Sequence, residues 1–282
     1  MLIQVDELKL ALASRAGNHP EIVIFDCRYQ LGKPNAGREA YEVAHIPGAL
    51  YLDLERDLSS PVGPHGGRHP LPNLEELAQK FGAAGVEDAT MVVVYDEGEG
   101  MAQRAWWLLR YCGHHKVRVL DGNFCAWQAR GLPVNDDLPN PEPVTFHPNI
   151  QSQMVATLAE VEAASAGESD ALLVDARARN RYQGEVEPLD AVAGHIPRAR
   201  NAPWTEGVGD GGIWRDSLAQ KQRFDALGAN GQLVIHYCGS GVTACNNIFA
   251  MALAGLEAVK LYPGSYSDWL TYPTHQVAIG DE

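Results

Sequence analysis

Basic residues are scarce in this chain of 282 residues. Against 36 Asp and Glu stand 22 Lys and Arg, a formal charge of −14. A surface of that sign argues against broad contact with nucleic acid or an anionic membrane. It does not exclude a small anionic ligand, since a few amides and one or two arginines outweigh a distant field locally. Long apolar runs are also missing, and no stretch approaches the ~20 residues of a membrane span. The opening MLIQVDELKLALASRAG places Asp6, Glu7 and Lys9 where a secretory leader keeps its apolar stretch, and reads as an amphipathic helix. A cytoplasmic protein is therefore expected. Cysteine is sparse and odd in number: Cys27, Cys112, Cys125, Cys238 and Cys245, with no CxxC pair. That argues against a disulfide framework or a cysteine metal site, and directs attention to a reactive thiol.

What is present is a folded two-domain chain. Hydrophobic residues make up 45% and charged residues 21%, ordinary values for a packed protein of about twice single-domain length. The chain repeats itself once. IVIFDCR (22–28) matches LLVDAR (172–177), AHIPGA (44–49) matches GHIPRA (194–199), and YDEGEGMA (95–102) matches YCGSGVTA (237–244). DGNFCAW (121–127) matches YPGSYSDW (262–269), with Gly122 facing Gly264 and Trp127 facing Trp269. Four blocks in the same order indicate a duplicated domain.

In each copy, apolar runs such as MVVVY (91–95) and LVIHY (233–237) have the pattern of strands buried on both faces of a parallel sheet. Helical patterns follow at 101–112 and 242–255, the second closed by Gly255. Alternating strands and helices predict an α/β domain with right-handed crossovers. The Pro- and Asn-rich stretch 132–149 has linker composition, and TEGVGDGG (205–212) reads as a surface loop. The expected boundaries are 1–134, a linker 135–153, and 154–282.

In open α/β sheets, ligands bind beyond the carboxyl ends of the strands. Cys238 stands there, after LVIHY and before a helix. The loop Cys238-Gly239-Ser240-Gly241-Val242-Thr243 carries two glycines that let successive N–H groups turn inward as an anion nest. The helix N-terminus adds partial positive charge. Cysteine at a strand end is often a small core residue, but packing alone does not call for glycines at this spacing. Cys238 is the candidate nucleophile.

With these motifs, the sequence resembles the two-domain rhodanese-type sulfurtransferases over nearly its whole length. The carriers are YEVAHIPGA (41–49), the Cys238 loop and YPGSYSDW (262–269). The resemblance implies two tandem rhodanese-like domains, each a parallel sheet flanked by helices. The first copy is then non-catalytic, with Asp96 standing where the second has Cys238. Sulfur would pass through a Cys238 persulfide cradled by Gly239, Gly241, Val242 and Thr243, with no metal or organic cofactor. The partners implied are a small anionic sulfur donor and a thiol, cyanide or thioredoxin-type acceptor.

Two branches of that family differ at the loop. Thiosulfate enzymes typically carry basic residues after the cysteine, whereas CGSGVT is similar to the mercaptopyruvate branch. Residues 239–243 bear no charge, and Ser240 is a hydroxyl able to relay protons given a base. The resemblance nominates Asp53 and His69 from the first half as that base system, in a site at the domain interface. Asp53 can equally be a helix N-cap and His69 a loop residue. Arg181 matches the arginine that holds the donor's anionic end. The chain departs from the mercaptopyruvate pattern at Glu187-Pro188-Leu189-Asp190, where a second arginine is often found. That keeps thiosulfate open as donor, with Arg179 a candidate replacement and Arg177 a structural ion-pair former.

Other residues read as structural. His45 and His195 recur in both copies, so their role is not catalytic; Trp106, Trp107, Trp127 and Trp269 read as core. Cys245 lies two helical turns after Cys238 and reads as core ahead of a resolving thiol. A cysteine phosphatase needs a longer loop with Arg six residues on, where this chain has Ala244. A non-catalytic binding or sulfur-carrier module is the remaining alternative, opposed by the presence of Cys238, Ser240 and Arg181 together.

Overall fold

Apolar runs ending in Asp or in glycine-rich loops determine where strands form and stop. The computed structural model describes residues 1–13 and 21–281. The described chain divides into two units. Unit 1 takes Met1–Ser60, Pro72–Gln151 and Asp210–Trp214; unit 2 takes Pro61–Leu71, Ser152–Gly209 and Arg215–Glu282. The segment 61–71, encoded in the first half, thus packs with the second unit.

Among the described residues, unit 1 holds five strands: β1 (Leu2–Ile3), β2 (Ile22–Asp26), β3 (Ala49–Tyr51), β4 (Met91–Tyr95) and β5 (Val117–Leu120). Their order across the sheet is β1-β5-β4-β2-β3, and every pairing is parallel. Val92, Val93, Val94 and Tyr95 are all fully buried, as a strand covered on both faces requires. Each such valine contributes roughly 1.5–3 kcal/mol of apolar burial. The helix Val5–Ala13 realises part of the amphipathic N-terminus, burying Val5 and Leu8, while β1 ahead of it had no signal of its own. The rest of that expectation, residues 14–17, lies outside the described residues. The Pro- and Asn-rich stretch stays with this unit: Val144 N–H donates to Gly82 O (2.9 Å) and Asn149 N–H to Cys112 O (2.8 Å).

Unit 2 holds β6 (Leu172–Asp175), β7 (Arg200–Asn201), β8 (Val234–Tyr237) and β9 (Val259–Leu261), in the parallel order β7-β6-β8-β9. The helix Ala244–Leu253 follows β8, and nearly all of it is buried. Gly255 lies just past its C-terminus with φ +74°, the left-handed turn that the sequence placed there.

The duplication is visible in side-chain geometry. In unit 1, Arg28 grips Asp26 through Nε and Nη2 and donates to Ala44 O. In unit 2, Arg177 grips Asp175 the same way and donates to Gly194 O. Both pairs are buried; removing one partner from such a pair costs about 3–5 kcal/mol. His45 stacks on Tyr41 at 4.0 Å and His195 on Tyr182 at 3.7 Å. In each, Nδ1 bonds the carbonyl of the tyrosine beneath it. These rings close the turn into the sheet, the structural role their recurrence implies. Trp106, Trp107, Trp127 and Trp269 are buried core.

Candidate active site

The candidate loop begins where β8 ends, at Cys238. Cys238 is 2% exposed, and its backbone is gripped at both polar atoms by the 262–269 motif. Its N–H donates to Ser265 Oγ (3.1 Å), while its carbonyl accepts from Tyr266 N–H (3.0 Å). Ser265 Oγ donates in turn to Tyr262 O (3.0 Å), and Ser267 N–H donates to Gly239 O (2.9 Å). The two motifs are thus one structure: the short helix Ser265–Trp269 holds the cysteine loop by its backbone. Gly241 has φ +76°, and a Cβ there would overlap the carbonyl of Pro263, so only glycine fits.

The segment 61–71 is laid over the same motif as a strap. Gly66 N–H donates to Asp268 Oδ1 (2.7 Å) and Arg68 N–H to Ser267 Oγ (3.1 Å). Between them Gly67, at φ +76°, passes so close to Gly264 O that a side chain would collide. This brings His69 into unit 2, where its Nδ1 and Ser240 Oγ share a hydrogen bond of 2.8 Å. Both residues are buried.

Arg181 is anchored by carboxylates. Its Nε and Nη2 donate to Glu187 (3.1 and 2.6 Å), and Nη2 also reaches Asp190 Oδ2 (3.2 Å). Glu187 additionally accepts from Arg177 and from the N–H groups of Leu189 and Asp190. Burial works against its charge, but Arg181 and these amides hold the Glu187 carboxyl below the usual range. Asp190 goes the other way: burial raises its pKa despite the Arg68 and Arg181 guanidiniums beside it. Arg179 is 60% exposed and paired with Asp281, away from this cluster of carboxylates. Arg68 was not singled out in the sequence, yet its Nη1 pairs with Asp190 and its Nη2 is turned toward Gly239. The only signal was its place beside His69 after two glycines.

Unit 2 therefore brings together Cys238, Gly239, Ser240, Gly241, His69 and Arg181, with Val242 and Thr243 leading into the helix Ala244–Leu253. Asp53 belongs to unit 1, where its Oδ1 accepts from Glu55 and Arg56 N–H (3.0 and 3.1 Å) as a turn cap does. Cys245 is buried in the helix, its thiol directed at Gly241 O (3.5 Å). Burial pushes Cys112 up to about 12 and raises Cys27 as well. Among the described residues, no group of three or more His, Cys, Asp or Glu is placed to hold a metal ion. No helix among them is long and apolar enough to cross a membrane.

The rhodanese-like domain family matches this sequence twice, at residues 7–130 and 157–272. The chain belongs to that family. Full-length relatives place it among the rhodanese-type sulfurtransferases, and it is an enzyme of that class. A probable 3-mercaptopyruvate sulfurtransferase of Pseudomonas aeruginosa is 44% identical, over 96% of each chain. A putative thiosulfate sulfurtransferase, SseB, of Mycobacterium tuberculosis is 36% identical over 99% of this chain and 97% of its own. Among solved structures, the 3-mercaptopyruvate enzyme SseA of Escherichia coli superposes with a TM-score of 0.81 at 33% identity, covering 94% of this chain and 98% of that one. Two parallel sheets flanked by helices are the rhodanese fold twice over.

Proposed function

We propose that this rhodanese-type enzyme takes sulfur from 3-mercaptopyruvate, carries it as a Cys238 persulfide, and delivers it to a thiol, a thioredoxin-type dithiol or cyanide. The observation that carries the donor choice is the 2.8 Å hydrogen bond between Ser240 and His69. The Cys238 thiolate attacks the donor sulfur and forms the S–S bond as the donor's C–S bond breaks. The electron pair of that bond leaves on pyruvate enolate. The proton released from the donor thiol must reach the enolate carbon to give pyruvate, and Ser240 backed by His69 is built to relay it. Arg181 holds the donor's anionic end, and the amides of Gly239, Gly241, Val242 and Thr243 cradle the persulfide. Asp53 completes the base system only by family resemblance. Five free thiols suit a reducing compartment, the cytoplasm.

Thiosulfate is the second reading, and Arg68 favours it. Two guanidiniums directed at Gly239 supply the positive charge that residues 239–243 lack. In that reaction the thiolate takes the outer sulfur, sulfite leaves with the electron pair, and no proton need move. Side-by-side kcat/KM values for the two donors, with cyanide as acceptor, separate the readings. Mercaptopyruvate is expected to win. Ser240→Ala is expected to lower kcat for mercaptopyruvate about 100-fold while leaving thiosulfate nearly untouched. A wild-type ratio clearly favouring thiosulfate sinks the donor choice.

A further inference from the structure

We infer that Asp268 is a positioning residue for the proton relay: its carboxylate brackets the strap and so sets His69 against Ser240. This inference rests on the reading of Ser240 and His69 as that relay, and deepens it. Asp268 is 5% exposed, and each of its carboxylate oxygens accepts a short hydrogen bond. Oδ1 accepts from Gly66 N–H on the strap (2.7 Å) and Oδ2 from the Tyr262 hydroxyl (2.5 Å). Tyr262 is itself buried, and its N–H donates to His236 O in β8 (2.9 Å). One side chain therefore ties the strap to the strand that leads into the nucleophile. Hydrogen bonds to a carboxylate are about twice as strong as those between neutral groups. Gly264 makes room for it, since a Cβ there would lie 2.4 Å from Asp268 Oδ2.

Unit 1 has a corresponding segment without this bracket. Gly211-Gly212-Ile213-Trp214 answers Gly66-Gly67-Arg68-His69, with Gly212 and Gly67 both at φ +76°. It crosses the glycine turn of unit 1 so closely that a Cβ on Gly122 would lie 2.9 Å from Ile213 Cδ1. Trp214 N–H is held by Asp121 Oδ1 (3.0 Å), yet Leu120 and Ala126 stand where unit 2 has Tyr262 and Asp268. The helix Asn123–Ala129 forms there all the same. Laying such a segment over the turn therefore does not require the tyrosine–carboxylate pair. The pair is present where the segment brings a histidine to Ser240, and absent in the unit whose loop is headed by Asp96. A relay must keep its members within hydrogen-bond reach, and misplacement by about 1 Å can cost about 100-fold in rate. Gly66 at φ +99° and Gly67 beside it give the strap no stiffness of its own to ensure this.

The test is steady-state kinetics of the full-length enzyme with mercaptopyruvate and with thiosulfate, cyanide as acceptor. Asp268→Ala is expected to lower kcat for mercaptopyruvate about 10–100-fold, and kcat for thiosulfate by no more than about twofold, since that reaction moves no proton. Asp268→Asn, which keeps an oxygen for Gly66 N–H, recovers most of the loss. Tyr262→Phe keeps the ring in the core and loosens the bracket more gently; the same donor selectivity is expected at about threefold. In a Ser240→Ala background, Asp268→Ala should cost nothing further, because both changes break one relay. Equal losses with the two donors in these variants, or a loss that adds in full to that of Ser240→Ala, would make Asp268 a residue of the fold alone and overturn the inference. If Ser240→Ala lowers mercaptopyruvate turnover while Asp268→Ala leaves it unchanged, the inference falls and the relay reading stands. If Ser240→Ala leaves that turnover intact, the relay reading is overturned and the inference with it.

Discussion

The same strand–loop–helix unit occurs twice in this chain, and the two loops treat negative charge in opposite ways. In unit 1 the residue after β4 is Asp96, and its own carboxylate fills the nest. It accepts from the N–H groups of Gly98 (2.9 Å), Met101 (2.6 Å) and Ala102 (2.9 Å). In unit 2 the residue after β8 is Cys238, and residues 238–243 contain no carboxylate. Both loops take six residues to reach their helix, but the glycines are out of step. Gly98 and Gly100 stand opposite Ser240 and Val242, and Glu99 stands opposite Gly241. Burial, with a smaller push from the neighbouring Asp96, raises the Glu99 carboxyl to about 7. A nest that supplies its own anion has no capacity for a substrate's; one that does not is available for chemistry.

Exchange of the two leading residues is the most severe test of this contrast. Cys238→Asp places a carboxylate at the head of the unit 2 loop and is expected to abolish sulfur transfer, by about a thousandfold or more, with Tm within about 2 °C of wild type. The reverse change, Asp96→Cys, is expected to give a double-cysteine protein whose extra thiol transfers no sulfur, read out in a Cys238→Asp background. Transfer by that second thiol would show that a loop needs only a cysteine, and the comparison would lose its meaning.

A milder disturbance tests the glycine register. Gly241→Ala forces a side chain onto the Pro263 carbonyl at φ +76°, costing at least about 1–3 kcal/mol. Tm should fall by about 5 °C and transfer should drop with it. Glu99→Ala at the matching place in unit 1 should leave both nearly unchanged, and equal losses at the two sites would contradict the mismatch.

The smallest effect concerns pH. His236 in β8 faces Met251 Sδ at 2.9 Å, and burial lowers its pKa to about 3 from 6.5. The folded state thus binds fewer protons than the unfolded one. This contribution to stability is full above pH 6.5 and is lost as pH falls toward 3. Unit 1 carries Val94 at the equivalent strand position. His236→Val should lower the midpoint of acid unfolding by about half a pH unit; an unchanged midpoint would show that His236 does not set the acid sensitivity of β8.

The legible features were those written in local pattern. Continuous valine runs marked β4, glycine spacing marked the Cys238 loop, and four repeated blocks marked the duplication, because each depends on neighbours in sequence. Arg181 came from resemblance, and its anchoring carboxylates could not have been foreseen from Glu187-Pro188-Leu189-Asp190 as a string. The strap was illegible for a different reason. Nothing in GGRHPLP announces that its partners are Ser240, Ser267 and Asp268, nearly two hundred residues away. Arg68 was overlooked with it, since a lone arginine in a glycine-rich stretch has no period or spacing to mark it. Residues 210–214 likewise join unit 1 through contacts that a surface-loop composition does not encode.

The strap has a bearing on how the enzyme comes into being. The hydrogen bond between His69 and Ser240 spans 171 residues of sequence, so it cannot form while the chain is still being synthesised up to the second half. The closure itself is not the obstacle, as each doubling of such a loop costs only about 0.6 kcal/mol. What it imposes is an order of events: the thiol-bearing loop must exist before the residues that serve it have anywhere to dock. A nascent chain therefore cannot assemble this loop with its strap until the motif 262–269 has emerged to meet residues made long before.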